Sequence, residues 1–306
     1  MGRRRKRGRL IDGIILLDKP KGLSSNQALQ KVKGIFFAQK AGHTGSLDPL
    51  ATGMLPICFG EGTKVSAFLL DSDKRYRLTC QFGVVTNTGD AEGEVIRNHD
   101  VPNLDQHKIE PVLEKFLGAK EQVPPMFSAL KHEGERLYNL ARQGIEVERK
   151  PRSVTIYEIL FISYEDGFLE LEVSCSKGTY IRTLVEDIGE QIGCGAHVTE
   201  LRRLAAGPFQ DPDIMVTLEQ LQSTKDENPA QLDDYLLPID SALMHLPDVQ
   251  LNADSSYYLL QGQPVQVPKA PTTGLVRIYN AERQVFLGIG QIASDGKVAP
   301  KRLFHT

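Results

Sequence analysis

Between Lys19 and Gly60 the sequence holds one acid, Asp48, against five lysines at positions 19, 21, 31, 33 and 40. A stretch that avoids carboxylates suits a surface that meets phosphates. Asp48 itself is ringed by Gly42, Gly45 and Gly53, which let a ligand come close to the backbone. A lone carboxylate so placed is a candidate nucleophile or base. The same letters, Asp-Pro-Leu-Ala-Thr, also make a good helix start, with Asp48 at the N-cap and Pro49 at the first helical position. Spacing alone supports cap and catalyst equally.

Other chemistries lack their patterns. There is no H-E-x-x-H and no G-x-G-x-x-G, and GEGTK at 60–64 has neither the order nor the spacing of a P-loop. Cys58, Cys80, Cys175 and Cys194 are scattered with no C-x-x-C pair, which argues against a disulfide framework or a thiolate zinc site and suits a reducing compartment. They are expected to be small buried hydrophobes. No apolar run reaches the roughly 18 residues a membrane span needs. The run between Asp12 and Asp18 is too short for a signal peptide, so a soluble, cytoplasmic protein is expected.

The formal charge of −3 hides an uneven distribution. Residues 1–9 carry +6, residues 10–210 carry −4, residues 211–254 carry −9 and residues 255–306 carry +4. A basic arm and a basic C-terminal segment flanking an acidic connector fit a polyanionic partner; a frayed arm and a solvated surface fit the charge equally well.

The elements that must position Asp48 follow from periodicity. GIILLD at 13–18 reads as a short buried strand ended by the turn Lys19-Pro20-Lys21-Gly22. Ser24 or Ser25 caps a helix with the apolar stripe Ala28, Leu29, Val32 and Phe36. Residues 42–53 read as a loop, 54–59 as a strand and 65–69 as a short helix. Strict alternation over 74–83 predicts a half-buried strand with Tyr76, Leu78, Cys80 and Phe82 on one face. Residues 84–94 read as a loop, 105–117 as a helix and 122–150 as an insertion around a short helix at 135–143. Strands are predicted at 153–163, 168–175 and 197–204, and an amphipathic helix at about 180–192. The acidic stretch 211–248 reads as a short helix plus connector. Residues 250–306 restart a pattern of short alternating strands expected to bury its own core. The reading is α+β, with a basic arm at 1–9, a domain at 10–249 built on a mixed, largely antiparallel sheet with flanking helices, and a small β-rich domain at 250–306.

GHTGSLDPLATGMLPICFGEGTK resembles the catalytic signature of bacterial TruB-type tRNA pseudouridine synthases. LLDKPKGLSSNQALQKVK, LLDSDKRYR, CSKGTYIRTL and GCGAHVTELRRL resemble further blocks of that family in order and spacing, and the C-terminal segment resembles a PUA RNA-binding domain. The resemblance covers essentially the whole chain; Ser46 stands where Ala or Thr also occur. It implies isomerisation of uridine to pseudouridine at position 55 in the T-loop of tRNA, with no cofactor, no metal and no obligatory protein partner. It also implies the roles of single residues. Asp48 acts on a flipped-out uridine and Arg182 keeps it charged. Tyr76 packs on the base and helps remove the C5 proton. Tyr180 is a second aromatic at the site and Leu201 lines the base pocket. His43 fills space vacated by flipped nucleotides, and Lys19 and Pro20 shape the site through their turn or place positive charge near it. An RNA-binding protein without chemistry and a free-nucleotide enzyme are the competing readings.

Overall fold

The structure is a computed structural model that describes residues 7–304 except Arg283; the basic arm therefore lies mostly outside the described residues. The elements run β1 (Gly13–Lys19), α1 (Ser25–Ile35), β2 (Ala41–His43), β3 (Thr52–Phe59), α2 (Ser66–Leu70), β4 (Lys74–Phe82), β5 (Val84–Thr86), β6 (Val95–Asn98), α3 (Gln106–Glu114) and β7 (Gly118–Gln122). They continue with β8 (Lys131–His132), β9 (Glu135–Arg136), α4 (Leu137–Arg142), β10 (Arg152–Glu165), β11 (Phe168–Cys175), α5 (Ile181–Ile192), β12 (Ala196–Ala206) and α6 (Leu218–Glu227). The chain closes with β13 (Asp248–Leu251), α7 (Ala253–Leu260), β14 (Leu275–Asn280), β15 (Val285–Ile292) and β16 (Val298–Leu303).

The main sheet has the order β1-β3-β12-β4-β11-β10-β7, with β2 paired to β3. All its pairings are antiparallel except the short parallel contact of β12 with β3. On β1, Ile15 and Leu17 face the main core, whereas Ile14 and Leu16 face a second cluster. On β3 the split repeats, with Leu55, Ile57 and Phe59 on one side and Met54 and Cys58 on the other. Burial on both faces explains why GIILLD reads as a continuous apolar run and not as an alternating one. All four cysteines are free and buried.

Two local expectations are corrected, and one strand appears where the sequence suggested none. The stretch 84–94 is not all loop: β5 pairs with β6 in a short hairpin. β7 is an edge strand whose sequence, GAKEQ, carries no apolar alternation. The C-terminal unit is not built from strands alone, because α7 starts at Asn252, whose side chain accepts from the Ser255 amide.

The acidic stretch also does more than connect. Val216 and Leu237 bridge β1 through paired backbone bonds to Leu16, Asp18 and Ile14, so the connector shields the outer edge of the sheet. Val216, Leu221 and Leu232 join the main core. The small sheet, ordered β13-β14-β15-β16, has a core of its own around Val249, Leu259, Val276 and Ile278. Ile289 and Phe304, however, pack into the second cluster with Ile14, Leu16, Met54 and Leu243. The C-terminal unit thus covers the far face of β1 and β3. No helix among the described residues is long and apolar enough to cross a membrane.

Candidate active site

The segment 44–51, between β2 and β3, is not a helix: Asp48 opens a single turn in which the Ala51 amide donates to its carbonyl at 3.1 Å. Leu47, Leu50 and Ala51 are buried on either side of it, while the Asp48 side chain stays 42% exposed. Anchoring the apolar neighbours in the core is what turns the carboxylate outward.

The anchors are polar as well. The Ser25 hydroxyl donates to the Leu47 carbonyl at 3.0 Å and accepts from the Leu47 amide at 2.7 Å. The Gly22 amide donates to the Pro49 carbonyl at 2.7 Å. Lys19, fully buried, donates through Nζ to the carbonyls of Pro20 (2.9 Å), Leu23 (2.6 Å) and Pro49 (3.5 Å). It is therefore a clamp and not a phosphate contact, and burial pulls its ammonium down to about 8 despite the opposing pull of Asp48. Pro20 lies in the turn that carries two of these acceptors. At the far end of the segment, Gly53 has φ 92°, and a Cβ there would collide with the Arg203 backbone where β3 crosses β12.

Arg182 stands in the first turn of α5, where a cation opposes the helix dipole. Its environment offsets that. The side chain is 5% exposed, and Nη2 lies 2.9 Å from Asp48 Oδ2. Nη1 donates to the Thr88 carbonyl and Nη2 to the Phe127 carbonyl, both at 2.7 Å. Nε lies 3.7 Å from Asp90 Oδ2. Asp90 is buried in the turn between β5 and β6, where its Oδ1 accepts from the Thr88 hydroxyl at 2.6 Å and the Glu92 amide at 3.1 Å. Burial pushes the Asp48 carboxyl above the usual carboxylate range and Asp90 adds to it; Arg182, by charge and hydrogen bond, and then Lys19 pull it back. The pair can present a reactive carboxylate to a ligand while a buried cation keeps it ionised.

Tyr76 on β4 lies half-buried opposite Arg203 of β12. Its phenol is raised by burial, is pulled back by the Arg203 guanidinium, and senses Asp48. Tyr180, the N-cap of α5, is pinned by the Gln122 amide group, which accepts from its N–H at 2.8 Å and donates to its carbonyl at 3.0 Å. Its phenol is raised by burial, and among the smaller influences are Asp48 and Arg182. Asp48, Arg182, Lys19, Tyr76 and Tyr180 thus form one electrostatic neighbourhood.

Two further predicted residues, Leu201 and His43, flank that neighbourhood. Leu201, paired with Leu78 across β12 and β4, lines a cavity of about 320 Å³ with Lys21, Leu50, Thr52 and Arg77. Leu78, which also lines it, and Leu201 share the face of Tyr76 and Arg203, two residues along their strands. His43, on β2, is half-buried with an unpartnered Nδ1. Burial, Arg203 and Arg136 pull its pKa down and hold it neutral.

Two residues escaped sequence reasoning. Asp90 sat in a stretch read as loop, its only signal being a Thr-Gly-Asp turn. Arg203 had a clearer one: it stands in phase with the buried Leu201 and Ala205, an arginine at an inward position of an amphipathic strand. It is 1% exposed and donates from Nε to the Met54 carbonyl (2.7 Å) and from Nη2 to the Gly45 carbonyl (3.1 Å).

Comparison with known proteins gives this geometry a family. Residues 33–181 match the TruB family pseudouridylate synthase N-terminal domain, residues 182–244 the tRNA pseudouridylate synthase B C-terminal domain, and residues 247–304 the pseudouridine synthase II TruB C-terminal domain. The chain belongs to the TruB family of pseudouridylate synthases. It is 57% identical to a tRNA pseudouridine synthase B of Yersinia pestis (strain Pestoides F), covering 99% of this chain and 95% of that one. A second protein of that name, from Nitrosococcus oceani, is 56% identical over 99% of this chain and 98% of its own length. Among solved structures, an H/ACA RNP bound to a substrate RNA containing 2′-deoxyuridine shares the fold, with a TM-score of 0.74 at 23% identity, covering 100% of this chain and 92% of that one.

Proposed function

We propose that this protein converts the uridine at position 55, in the T-loop of tRNA, to pseudouridine, with Asp48 acting on a flipped-out nucleotide and no cofactor taking part. The observation that carries the reading is the pairing of a water-accessible Asp48 with a buried, fully engaged Arg182. The relatives named tRNA pseudouridine synthase B supply the substrate class.

The reaction breaks the N1–C1′ bond, turns the uracil and rejoins it through C5. The C5 proton leaves and N1 gains one, so atoms balance with no redox change. An ionised Asp48 attacks the sugar or deprotonates it as the bond to uracil breaks. A uridine inside a folded loop must leave its stack for this, and Tyr76 and Tyr180 offer ring faces to receive it. His43, neutral and half-buried at the end of β2, fits a space-filling role in the reshaped loop and not a proton transfer. Leu201, on the face of β12 that also carries Arg203, lines the base pocket beside Tyr76. The C-terminal unit, which resembles a PUA domain, extends the RNA surface beyond the reacting base, and the reaction takes place in the cytoplasm.

The test is to incubate the protein with unmodified tRNA, with the same tRNA carrying cytidine at position 55, and with free UMP, and to map pseudouridine. Product at position 55 of the first alone is expected. Product from UMP, or binding of tRNA without product, would replace this reading with one of its competitors.

A further inference from the structure

Arg203 is a buried cation without an ion pair among the described residues. Taking a charge from water is costly unless the protein compensates it, and here the compensation comes from backbone carbonyls. Those partners are informative. The Gly45 and Met54 carbonyls lie at the two ends of the segment that presents Asp48. Gly45 takes φ 76°, and a Cβ on it would stand 3.5 Å from Arg203 Nη1, so the guanidinium lies flat beneath the turn. Tyr76 is the cross-strand neighbour of Arg203, whose guanidinium opposes the larger effect of burial on the phenol.

A planar five-donor fork can serve two acceptors in fixed mutual geometry, which an ammonium on a flexible stem cannot. We propose that Arg203 is a positioning residue that locks Tyr76 and the Asp48 segment into one frame, the frame in which the turned uracil is held while its C5 proton is removed. The inference rests on the function proposed above. Held on the Met54 and Gly45 carbonyls, the guanidinium sets where the neighbouring Tyr76 ring can lie relative to the Asp48 turn. Bond breaking at C1′ belongs to Asp48, so weakening the frame is felt most at C5 proton removal.

The experiment uses the full-length protein with tRNA whose uridines carry hydrogen or deuterium at C5. Arg203→Lys keeps the charge without the fork; Arg203→Met keeps the approximate volume without the charge. Both should lower kcat by at least about tenfold, with KM within about threefold, since the frame acts on the transition state and not on uniform binding. Both should also raise the deuterium isotope effect on kcat above that of the unaltered enzyme. In a Tyr76→Phe background, Arg203→Lys should add little, because the two changes act on one step.

Normal kcat in either variant, a loss of kcat with no rise in the isotope effect, or losses that simply add in the double variant would each overturn the proposal. A second measurement does not depend on the Arg203 variants folding. In nitrogen-labelled protein, one arginine guanidinium protected from solvent exchange should lose protection on Tyr76→Phe, and unchanged exchange would break the inferred contact. Turnover of the unaltered enzyme and of Asp48→Asn, measured alongside, shows separately whether the parent reading holds.

Discussion

Two irregular segments border Asp48, and they are held in opposite ways. The segment 44–53 is tied to the body by Lys19, Arg203, Ser25 and the Gly22 amide, and its apolar residues are sunk in the core. The insertion 122–150 is mostly exposed and contains only the two-residue hairpin of β8 and β9 and the short α4. Gln122 ties its start to the Tyr180 backbone and Arg182 holds the Phe127 carbonyl, whereas the Arg149 guanidinium on the Pro124 carbonyl only closes the segment on itself. A segment with few buried contacts belongs to the low-stability end of a fold. The contrast teaches a division of labour: the group that reacts is fixed before the ligand arrives, whereas the border that meets a large ligand keeps room to adjust.

If that division holds, changes in the first segment strike turnover and changes in the second strike affinity. Asp48→Asn should have the largest effect, lowering turnover by at least roughly 10³-fold while tRNA affinity stays within several-fold. Product formation by a preparation free of unaltered enzyme would refute its role. The same variant should not lose thermal stability at neutral pH. Because the folded carboxyl is raised above its unfolded value, its ionisation costs stability above that raised value, and the cost vanishes below the unfolded one.

Arg182→Met comes next, with turnover falling by about 10²–10³-fold. Without the cation the Asp48 carboxyl rises further, so the acidic limb of the pH–rate profile should move upward. An unmoved limb would mean that Arg182 acts by shape alone.

Lys19 gives a smaller, pH-dependent effect. Its folded value of about 8 lies below the ordinary 10.5, so the clamp loses its charge as pH rises through about 8 and activity should decline there. Between about 8 and 10.5 the unfolded chain binds more protons, so this group adds stability while activity falls. Lys19→Arg should abolish that decline. Lys74, which is also pulled to about 8, is tested in parallel by Lys74→Arg, which should leave the decline in place.

The smallest effect belongs to the insertion. Replacing the exposed Lys131, Arg136 and Arg142 with alanine should raise KM for tRNA several-fold with kcat unchanged. The salt dependence of binding should become shallower by about 0.7–0.9 log units of slope for each phosphate that the protein no longer neutralises. A fall in kcat instead would erase the distinction between the two segments.

Strongly periodic elements were legible in the sequence. α5 begins within a residue of its predicted start, because its apolar stripe marks it. β4 alternates as its letters do. Asp48 was singled out by the scarcity of acids around it. What stayed hidden depends on contacts distant in sequence. β7 is a strand because β10 pairs with it, and Asp90 matters because α5 carries Arg182 to it. The continuous apolar runs of β1 and β3 signalled burial, but not that the C-terminal unit supplies the second cover. That cover changes the expectation that the unit is independent: Ile289 and Phe304 belong to a core shared with β1.

The shared core also bears on how the molecule is made. A ribosome delivers β1 and β3 first, yet one side of both strands stays greasy and unclothed until Phe304 has emerged. The interval is an opening for aggregation or for chaperone capture. Once whole, the molecule should melt in a single calorimetric step, since neither end can come apart without stripping the other.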